Sequence, residues 1–326
     1  MTQGPLARLA VVIPAWNEAD RIADTVAAAI TLPGADLVAV VDDGSRDGTA
    51  DIARQAGAVV LGHARNRGKA AAMETGAEAV RLADQRDGVS RALLFLDADL
   101  GATAAQAGPL ADPVLAGTAD MTIAAFTTRV KLGGHGLVVR LSARGTRRAI
   151  GWAPAQPLNG QRCLTRAAFD AARPLARGFG VETALTIDLV RKGLRVLEVE
   201  VGLEHRATGT DLRSQLHRAR QFADVGLALV PRLLLAPPTL LPSPSLGPVS
   251  PGSHHPRSRL PAAPLPPPRR LPEMVAERNR YTALCDISGA VGDSSSGRGS
   301  GIVGRDGSPG TFGQAEVTRG DPARPG

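Results

Sequence analysis

The chain has 326 residues, 43% hydrophobic and only 3% aromatic, with a formal net charge of +7. That length and apolar content suffice for one large core or two small ones, and exclude a wholly disordered chain. From Ala236 onward ten basic residues stand against seven acidic ones, so the first 235 residues carry a surplus of only four, too mild for a nucleic-acid-binding domain but suited to an anionic small substrate or a membrane surface. The two cysteines, Cys163 and Cys285, make neither a disulfide framework nor a zinc site, so a reducing cytoplasm is expected. The first eight residues lack the ordered charged and apolar regions of a secretory leader. No apolar run is long enough to span a bilayer; the nearest, 225–241, is broken by Pro231, Arg232, Pro237 and Pro238.

In chain order, residues 9–13 (LAVVI) read as a buried strand stopped by Pro14. The loop PAWNE follows, with Asn17 or Asp20 expected to cap a helix whose Ile22, Val26 and Ile30 share one face. Residues 37–41 predict a second strand, ending in DDGSRDGT. Asp47 is positioned to cap a helix over 49–56, Gly57 closes it, and 59–61 form a third strand. The basic segment HARNRGK (63–69) feeds an alanine-rich helix. Residues 93–96 (LLFL) are an unbroken apolar run, the pattern of a strand buried on both faces of a parallel sheet, and they end abruptly in Asp97-Ala98-Asp99. Strand and helix alternate, which predicts a parallel sheet with right-handed crossovers.

The second half is less regular. Residues 120–125 read as a strand and 131–136 as a glycine-rich link. A helix over 137–150 places Arg140, Arg144, Arg147 and Arg148 along one face, although Gly145 weakens it. Residues 161–164 form a short strand, Thr165 caps a helix to 172, and a helix over 182–192 is closed by Gly193. Residues 194–201 are strand-like, with acids at Glu198 and Glu200. A last helix, 212–235, carries Arg213, His217, Arg218 and Arg220 first and apolar residues afterwards. At Ala236 the composition turns to proline, glycine and serine, too poor in large apolar residues to offset the entropy of ordering. The expected organisation is a globular domain over 1–235 and a disordered tail over 236–326. The tail reads either as a natural flexible segment or as a shifted frame of GC-rich DNA.

The chemistry concentrates in three loops. PAWNE, DDGSRDGT and DAD follow the first, second and fourth strands, and in a doubly wound sheet all three face one crevice. Asp97 and Asp99 would repel each other unless a cation lay between them, and oxygen ligands of this kind suit Mg²⁺ or Mn²⁺ shared with phosphates. A helix cap near Thr103 would explain one of these acids but not both. Of the paired acids Asp42 and Asp43, one can stabilise the DGS turn while the other accepts the N–H of a uracil or guanine base. Lys69 hints at a P-loop, but Gly62 and Gly68 stand one residue too far apart and Ala70 replaces the Ser or Thr that would hold Mg²⁺, which excludes an NTPase of that class.

In this order and spacing, VVIPAWNEAD, VDDGSRDGT, NRGKAAAMETG and FLDADL resemble a family 2 glycosyltransferase with the GT-A fold. The resemblance runs on through LNGQRCLTRAAF and GFGVETALTIDLVRKGL to LEHR, over about residues 9–206, and is nearest in character to the dolichol-phosphate-mannose-synthase-like and glucosyl-3-phosphoglycerate-synthase-like enzymes. It implies an α/β, Rossmann-like, mainly parallel sheet flanked by helices. It implies that Pro14, Ala15 and Glu18 line the loop around the nucleotide, that Asp43 contacts the base, and that Lys69 lies near the nucleotide. Asp97 and Asp99 match the DXD motif, Asp99 as the direct metal ligand and Asp97 nearer the ribose and donor sugar. Glu182 falls where inverting members place their general base, and His205 where several supply a third metal ligand.

The plainer alternatives are a helix-terminal acid for Glu182 and a solvated histidine for His205. The arginine face after Leu137 is either a solvated helix or a contact for an anionic acceptor or lipid headgroup. The expected activity is Mg²⁺- or Mn²⁺-dependent, inverting transfer of a sugar from a nucleoside-diphosphate sugar to a hydroxyl or phosphate acceptor, small or lipid-linked. The expected setting is the cytoplasm with peripheral contact at the anionic inner face of the membrane, and no nucleic-acid partner. The alternatives are a retaining enzyme of the glucosyl-3-phosphoglycerate-synthase type and a non-catalytic nucleotide-sugar-binding protein. A sugar nucleotidyltransferase would open with a glycine-rich, basic loop after its first strand, which PAWNE is not.

Overall fold

The computed structural model describes residues 8–126, 136–203 and 212–234. Seven strands form one sheet: β1 (Arg8–Ala15), β2 (Ala35–Asp42), β3 (Val59–Gly62), β4 (Arg91–Phe95), β5 (Met121–Phe126), β6 (Arg162–Leu164) and β7 (Val196–Val201). Their order is β3-β2-β1-β4-β6-β5-β7. The first four strands are mutually parallel, as are β5 and β7. The exception is β6, which runs antiparallel to both β4 and β5 within the mainly parallel sheet that was expected. A three-residue strand carries no direction in its sequence, and the chain reaches it by a long excursion rather than by a βαβ crossover.

Eight helices complete the described domain: α1 (Ile22–Ile30), α2 (Thr49–Gln55), α3 (Lys69–Asp87), α4 (Gly108–Leu115), α5 (Gly136–Ile150), α6 (Arg166–Ala172), α7 (Val181–Arg191) and α8 (Leu212–Leu234). Period-2 alternation sends Val11, Ile13, Val38, Val40 and Leu94 to one face of the sheet, with the apolar sides of α1 and α4. Val12, Leu93, Phe95 and Ile123 go to the other face, with residues of α3, α6 and α7. Burial on both faces is why the first strands read as unbroken apolar runs. A small third cluster, Val138, Ile187, Val225 and Leu229, joins α5, α7 and α8.

Two helical glycines are explained by space. A Cβ on Gly76 would stand 2.4 Å from Val12 Cγ1, so α3 lies on β1 only because that side chain is missing. A Cβ on Gly145 would stand 2.4 Å from Leu229 Cδ1, so the residue that weakens α5 locally is where α8 crosses it. The Thr165 hydroxyl caps α6 by accepting from Ala168 N at 3.1 Å, as the sequence suggests. Neither Asn17 nor Asp20 caps α1, whose N-cap is Arg21. Asn17 instead adopts φ 55 and joins the neighbouring loop. Among the described residues no helix is long and apolar enough to cross a membrane. The link over 131–135, His205 and the tail from 236 lie outside the described residues.

The N-terminal edge of the sheet is closed by Arg91, which is 2% exposed. Its guanidinium donates to Asp36 at 2.6 and 3.0 Å, to Asp84 at 2.8 Å and to Asp87 at 2.9 Å. Burial alone would lower its pKa, but the three carboxylates outweigh that and raise it. The contacts fasten the end of α3 to the starts of β2 and β4. Arg91→Met leaves three carboxylates without their common cation and should destabilise the fold by about 3 kcal/mol. Urea unfolding reads this directly, while activity per folded molecule should stay unchanged because the opposite sheet edge is untouched.

Candidate active site

At the C-terminal sheet edge, the loops after β1 and β2 are stitched into one unit. Asn17 N donates to Ser45 Oγ at 2.9 Å, and Arg46 N returns a bond to Asn17 Oδ1 at 3.0 Å. Glu18 N donates to Thr49 Oγ1 at 2.9 Å, Ala19 N to Asp47 Oδ2 at 3.1 Å and Asp43 N to Ala15 O at 2.8 Å. Ala15 is buried, Pro14 and Glu18 are half-buried, and Trp16 stands 54% exposed. Asp47 does not cap α2, whose N-cap is Gly48 in a left-handed φ of 87; Asp47 stands just before it and accepts from Thr49 N at 3.1 Å.

The paired acids divide their work. Asp42 Oδ1 accepts from Ser45 N at 3.3 Å and stabilises the turn. Asp43 is buried and anchors the segment after β3. Its Oδ1 meets His63 Nδ1 at 2.6 Å and accepts from Arg67 N at 2.8 Å, and its Oδ2 accepts from Gly68 N at 2.7 Å. The other ring nitrogen of His63 lies 2.9 Å from Thr75 Oγ1. His63 was not singled out from the sequence, where a lone histidine in a basic segment carries no periodicity to mark it.

This anchored segment delivers Lys69, the first residue of α3. Lys69 Nζ donates to Asp97 Oδ1 at 2.6 Å and lies 3.0 Å from Glu182 Oε1. Desolvation would lower the pKa of the ammonium, but the attraction of Asp97 and Glu182 overrides it and raises the value. Lys69 therefore stays a cation at any ordinary pH. Glu182 is buried in the first turn of α7. Its helix follows a 3-10 turn, Gly178–Gly180, which leans on α8 through Phe179 N donating to Asp224 Oδ2 at 3.2 Å. Asp97 Oδ2 accepts from Gln161 Nε2 at 2.7 Å, and Asp99 lies half-buried in the turn beyond.

Sequence reasoning also passed over Arg162, which is fully buried just outside this cluster. Burial pushes its guanidinium down to about 10, against the opposing attraction of Glu182 and Glu198. In the sequence Gln161 and Arg162 are two polar residues opening a short strand-like run, with nothing local to distinguish them from a surface strand.

Asp97 and Asp99 are hard oxygen donors, both partly open to solvent at the sheet edge, and Asp97 already carries the cation of Lys69 on one oxygen. That donor set fits Mg²⁺ or Mn²⁺. Among the described residues no third His, Cys, Asp or Glu side chain completes a cluster with them, and His205 lies outside those residues.

The family model described as glycosyl transferase family 2 matches residues 10–152. Glycosyltransferase AglJ of Haloferax volcanii is 29% identical over 206 residues, covering 62% of this chain and 64% of its own length, so the match spans less than two thirds of that curated relative. Among solved structures, glucosyl-3-phosphoglycerate synthase of Mycobacterium tuberculosis with Mn²⁺, uridine diphosphate and phosphoglyceric acid has a TM-score of 0.55 at 25% identity, over 70% of this chain and 78% of that one. The same enzyme with Mn²⁺, UDP-glucose and phosphoglyceric acid has a TM-score of 0.55 at 26% identity, over 75% and 88% of the two chains.

The geometry around Asp43 makes a prediction independent of any ligand. Asp43→Ala removes a charged acceptor shared by Arg67 N and Gly68 N, so amide hydrogen exchange at those two positions should quicken by roughly tenfold or more. The amides of β1 and β4 should keep their protection.

Proposed function

Because this domain belongs to glycosyl transferase family 2, we propose that the chain transfers a sugar from a nucleoside-diphosphate sugar to a hydroxyl or phosphate acceptor. The observation that carries this is the meeting of three side chains from three elements at the C-terminal sheet edge, with Lys69 Nζ 2.6 Å from Asp97 and 3.0 Å from Glu182. In this reading the stitched loops hold the nucleotide through Pro14, Ala15 and Glu18. Asp43 spends three of its roughly four lone-pair sites on His63, Arg67 and Gly68, which leaves one for a base N–H. Asp99, with Asp97 and His205, would hold Mg²⁺ or Mn²⁺, and the chemistry such an ion supplies is charge neutralisation on the departing diphosphate.

The chain's own groups then do the rest. The acceptor oxygen forms its bond to the anomeric carbon as the bond to the diphosphate breaks, and the bonding pair leaves with the diphosphate. Glu182 takes the acceptor proton. Lys69 pairs with that carboxylate at 3.0 Å and adds positive charge beside the donor. A single in-line displacement inverts the anomeric centre. Where the acceptor is already a phosphate, Glu182 orients it and no proton moves.

A second reading, retention of configuration, is favoured by the likeness to glucosyl-3-phosphoglycerate synthase, whose structures hold UDP-glucose and phosphoglyceric acid. Product anomer analysis by NMR separates the two. The test of activity is a panel of UDP- and GDP-sugars with Mn²⁺ or Mg²⁺, reading nucleoside diphosphate release. Asp99→Ala should abolish metal-dependent release with the fold intact. Glu182→Gln should lower kcat for a hydroxyl acceptor by roughly 100- to 10,000-fold. Normal turnover in both variants would overturn the assignment.

We place the protein in the cytoplasm, in peripheral contact with the inner membrane face, where a lipid phosphate is an available acceptor. The supporting observation is the outer side of α5, where Leu137, Arg140, Arg144, Arg147 and Arg148 are exposed while Val138, Ser142, Gly145 and Thr146 are buried. The adjoining helix α8 exposes Leu227, Val230 and Leu234. Cations beside apolar side chains suit an anionic bilayer surface, each worth about 1 kcal/mol. The chain should float with anionic vesicles at low salt, release at high salt, and ignore neutral vesicles. Arg144→Glu with Arg148→Glu should weaken the binding. No flotation with anionic lipid at low salt would leave a small phosphorylated acceptor as the better candidate.

A further inference from the structure

Asp97 has two carboxylate oxygens, and each is directed by a different side chain. Lys69 holds Oδ1, and the amide of Gln161 donates to Oδ2 at 2.7 Å. Only the NH₂ end of that amide can donate to a carboxylate, so its orientation follows from the chemistry. Gln161 is fully buried, and its backbone is pinned on both sides. Its N–H donates to Asn159 Oδ1 at 3.0 Å, and its carbonyl accepts from Ala124 N at 3.0 Å. Asn159 is itself tied to β5 through Nδ2 donating to Ala124 O at 2.7 Å.

The next residue braces the same loop from the opposite side of the strand. Arg162 donates to the carbonyls of Asn159 at 2.9 Å and Pro157 at 3.3 Å, and to Thr186 Oγ1 at 2.8 Å. Thr186 Oγ1 donates in turn to the Glu182 carbonyl at 2.9 Å. One buried guanidinium thus links the loop that carries Gln161 to the helix turn that carries Glu182. Gly160 completes the arrangement, since a Cβ there would stand 2.2 Å from Lys69 Nζ and 2.7 Å from Asp97 Oδ1.

We infer that Gln161 is a positioning residue: its amide, held by the Arg162-braced loop, fixes the direction in which the Asp97 carboxylate faces the donor site. The inference rests on the reading of Asp97 and Asp99 as the metal-bearing acids. Groups that orient a ligating carboxylate from behind change metal affinity by about 10- to 100-fold when removed.

The test is calorimetry of UDP binding to the full chain, with and without Mn²⁺, in wild type and Gln161→Met. Methionine fills a similar volume and donates nothing. Mn²⁺ should tighten UDP binding by wild type, and Gln161→Met should lose about 10- to 100-fold of that tightening while keeping metal-free UDP affinity. In an Asp97→Asn background the same change should have no further effect, because Gln161 acts through Asp97. A merely structural role would instead weaken both forms of binding together and persist in that background. Wild-type tightening by Mn²⁺ in Gln161→Met overturns the inference. If wild type itself shows no tightening with UDP or with GDP, the metal reading fails and this inference falls with it. Should Gln161→Met not fold, Gln161→Asn replaces it, since its shorter amide cannot reach Asp97 and the same loss is expected.

Discussion

The shared ammonium of Lys69 is the contact on which the site depends. Asp97 comes from the loop after β4 and Glu182 from the first turn of α7, far apart in the chain and like in charge. Side by side at a partly desolvated edge two carboxylates repel each other. Lys69 lies between them and holds both, at 2.6 and 3.0 Å. The surrounding structure places that one nitrogen. Asp43 sets the segment before Lys69, Gly76 lets α3 lie close on the sheet, and Gly160 clears the volume the ammonium occupies. The last described helix also contributes, because α8 supports the 3-10 turn from which α7 starts.

The two ends of the sheet treat charge in opposite ways. At the N-terminal edge Arg91 is surrounded by Asp36, Asp84 and Asp87, and the cluster is complete in itself. At the C-terminal edge Lys69 lies between Asp97 and Glu182, and Asp97 and Asp99 remain partly open to solvent. Parallel strands point their carboxyl ends and following loops to one side, so the loops after β1, β2 and β4 gather at one edge and the Arg91 cluster closes the other.

Most of the scaffold was legible in the residues. The apolar runs at 9–13, 37–41 and 93–96 read as strands and are strands, and the acids after the last of them lie at the C-terminal sheet edge. The meeting of Asp97, Lys69 and Glu182 was not legible, because periodicity reports which face a residue takes and not which distant residue it meets. Asn17 shows a similar limit: its type is right for a cap, but a left-handed φ of 55 and a bond from Arg46 N commit it to the neighbouring loop. Gly145 shows a third, since its cost to an isolated helix is visible locally and the crossing helix that needs it is not. Gln161 and Arg162 escaped notice because buried polar residues are recognised by their partners, and the partners lie on β5, α7 and the loop after β4.

The reversed strand β6 has a consequence for how such a domain diversifies. In the parallel strands the loop after the strand reaches the functional edge, but in β6 the loop before it does, as Asn159 and Gln161 show. Since β5 and β6 pair antiparallel, the chain leaves the sheet after Phe126 and re-enters at Arg162 on the same side. Between them, α5 belongs to an excursion whose two ends lie at the C-terminal edge of the sheet. Such a cassette can change length and composition without altering the register of a single strand, while the loops after β1, β2 and β4 stay as they are. Differences in that excursion and differences in the loops after β1, β2 and β4 can therefore arise separately on one unchanging sheet.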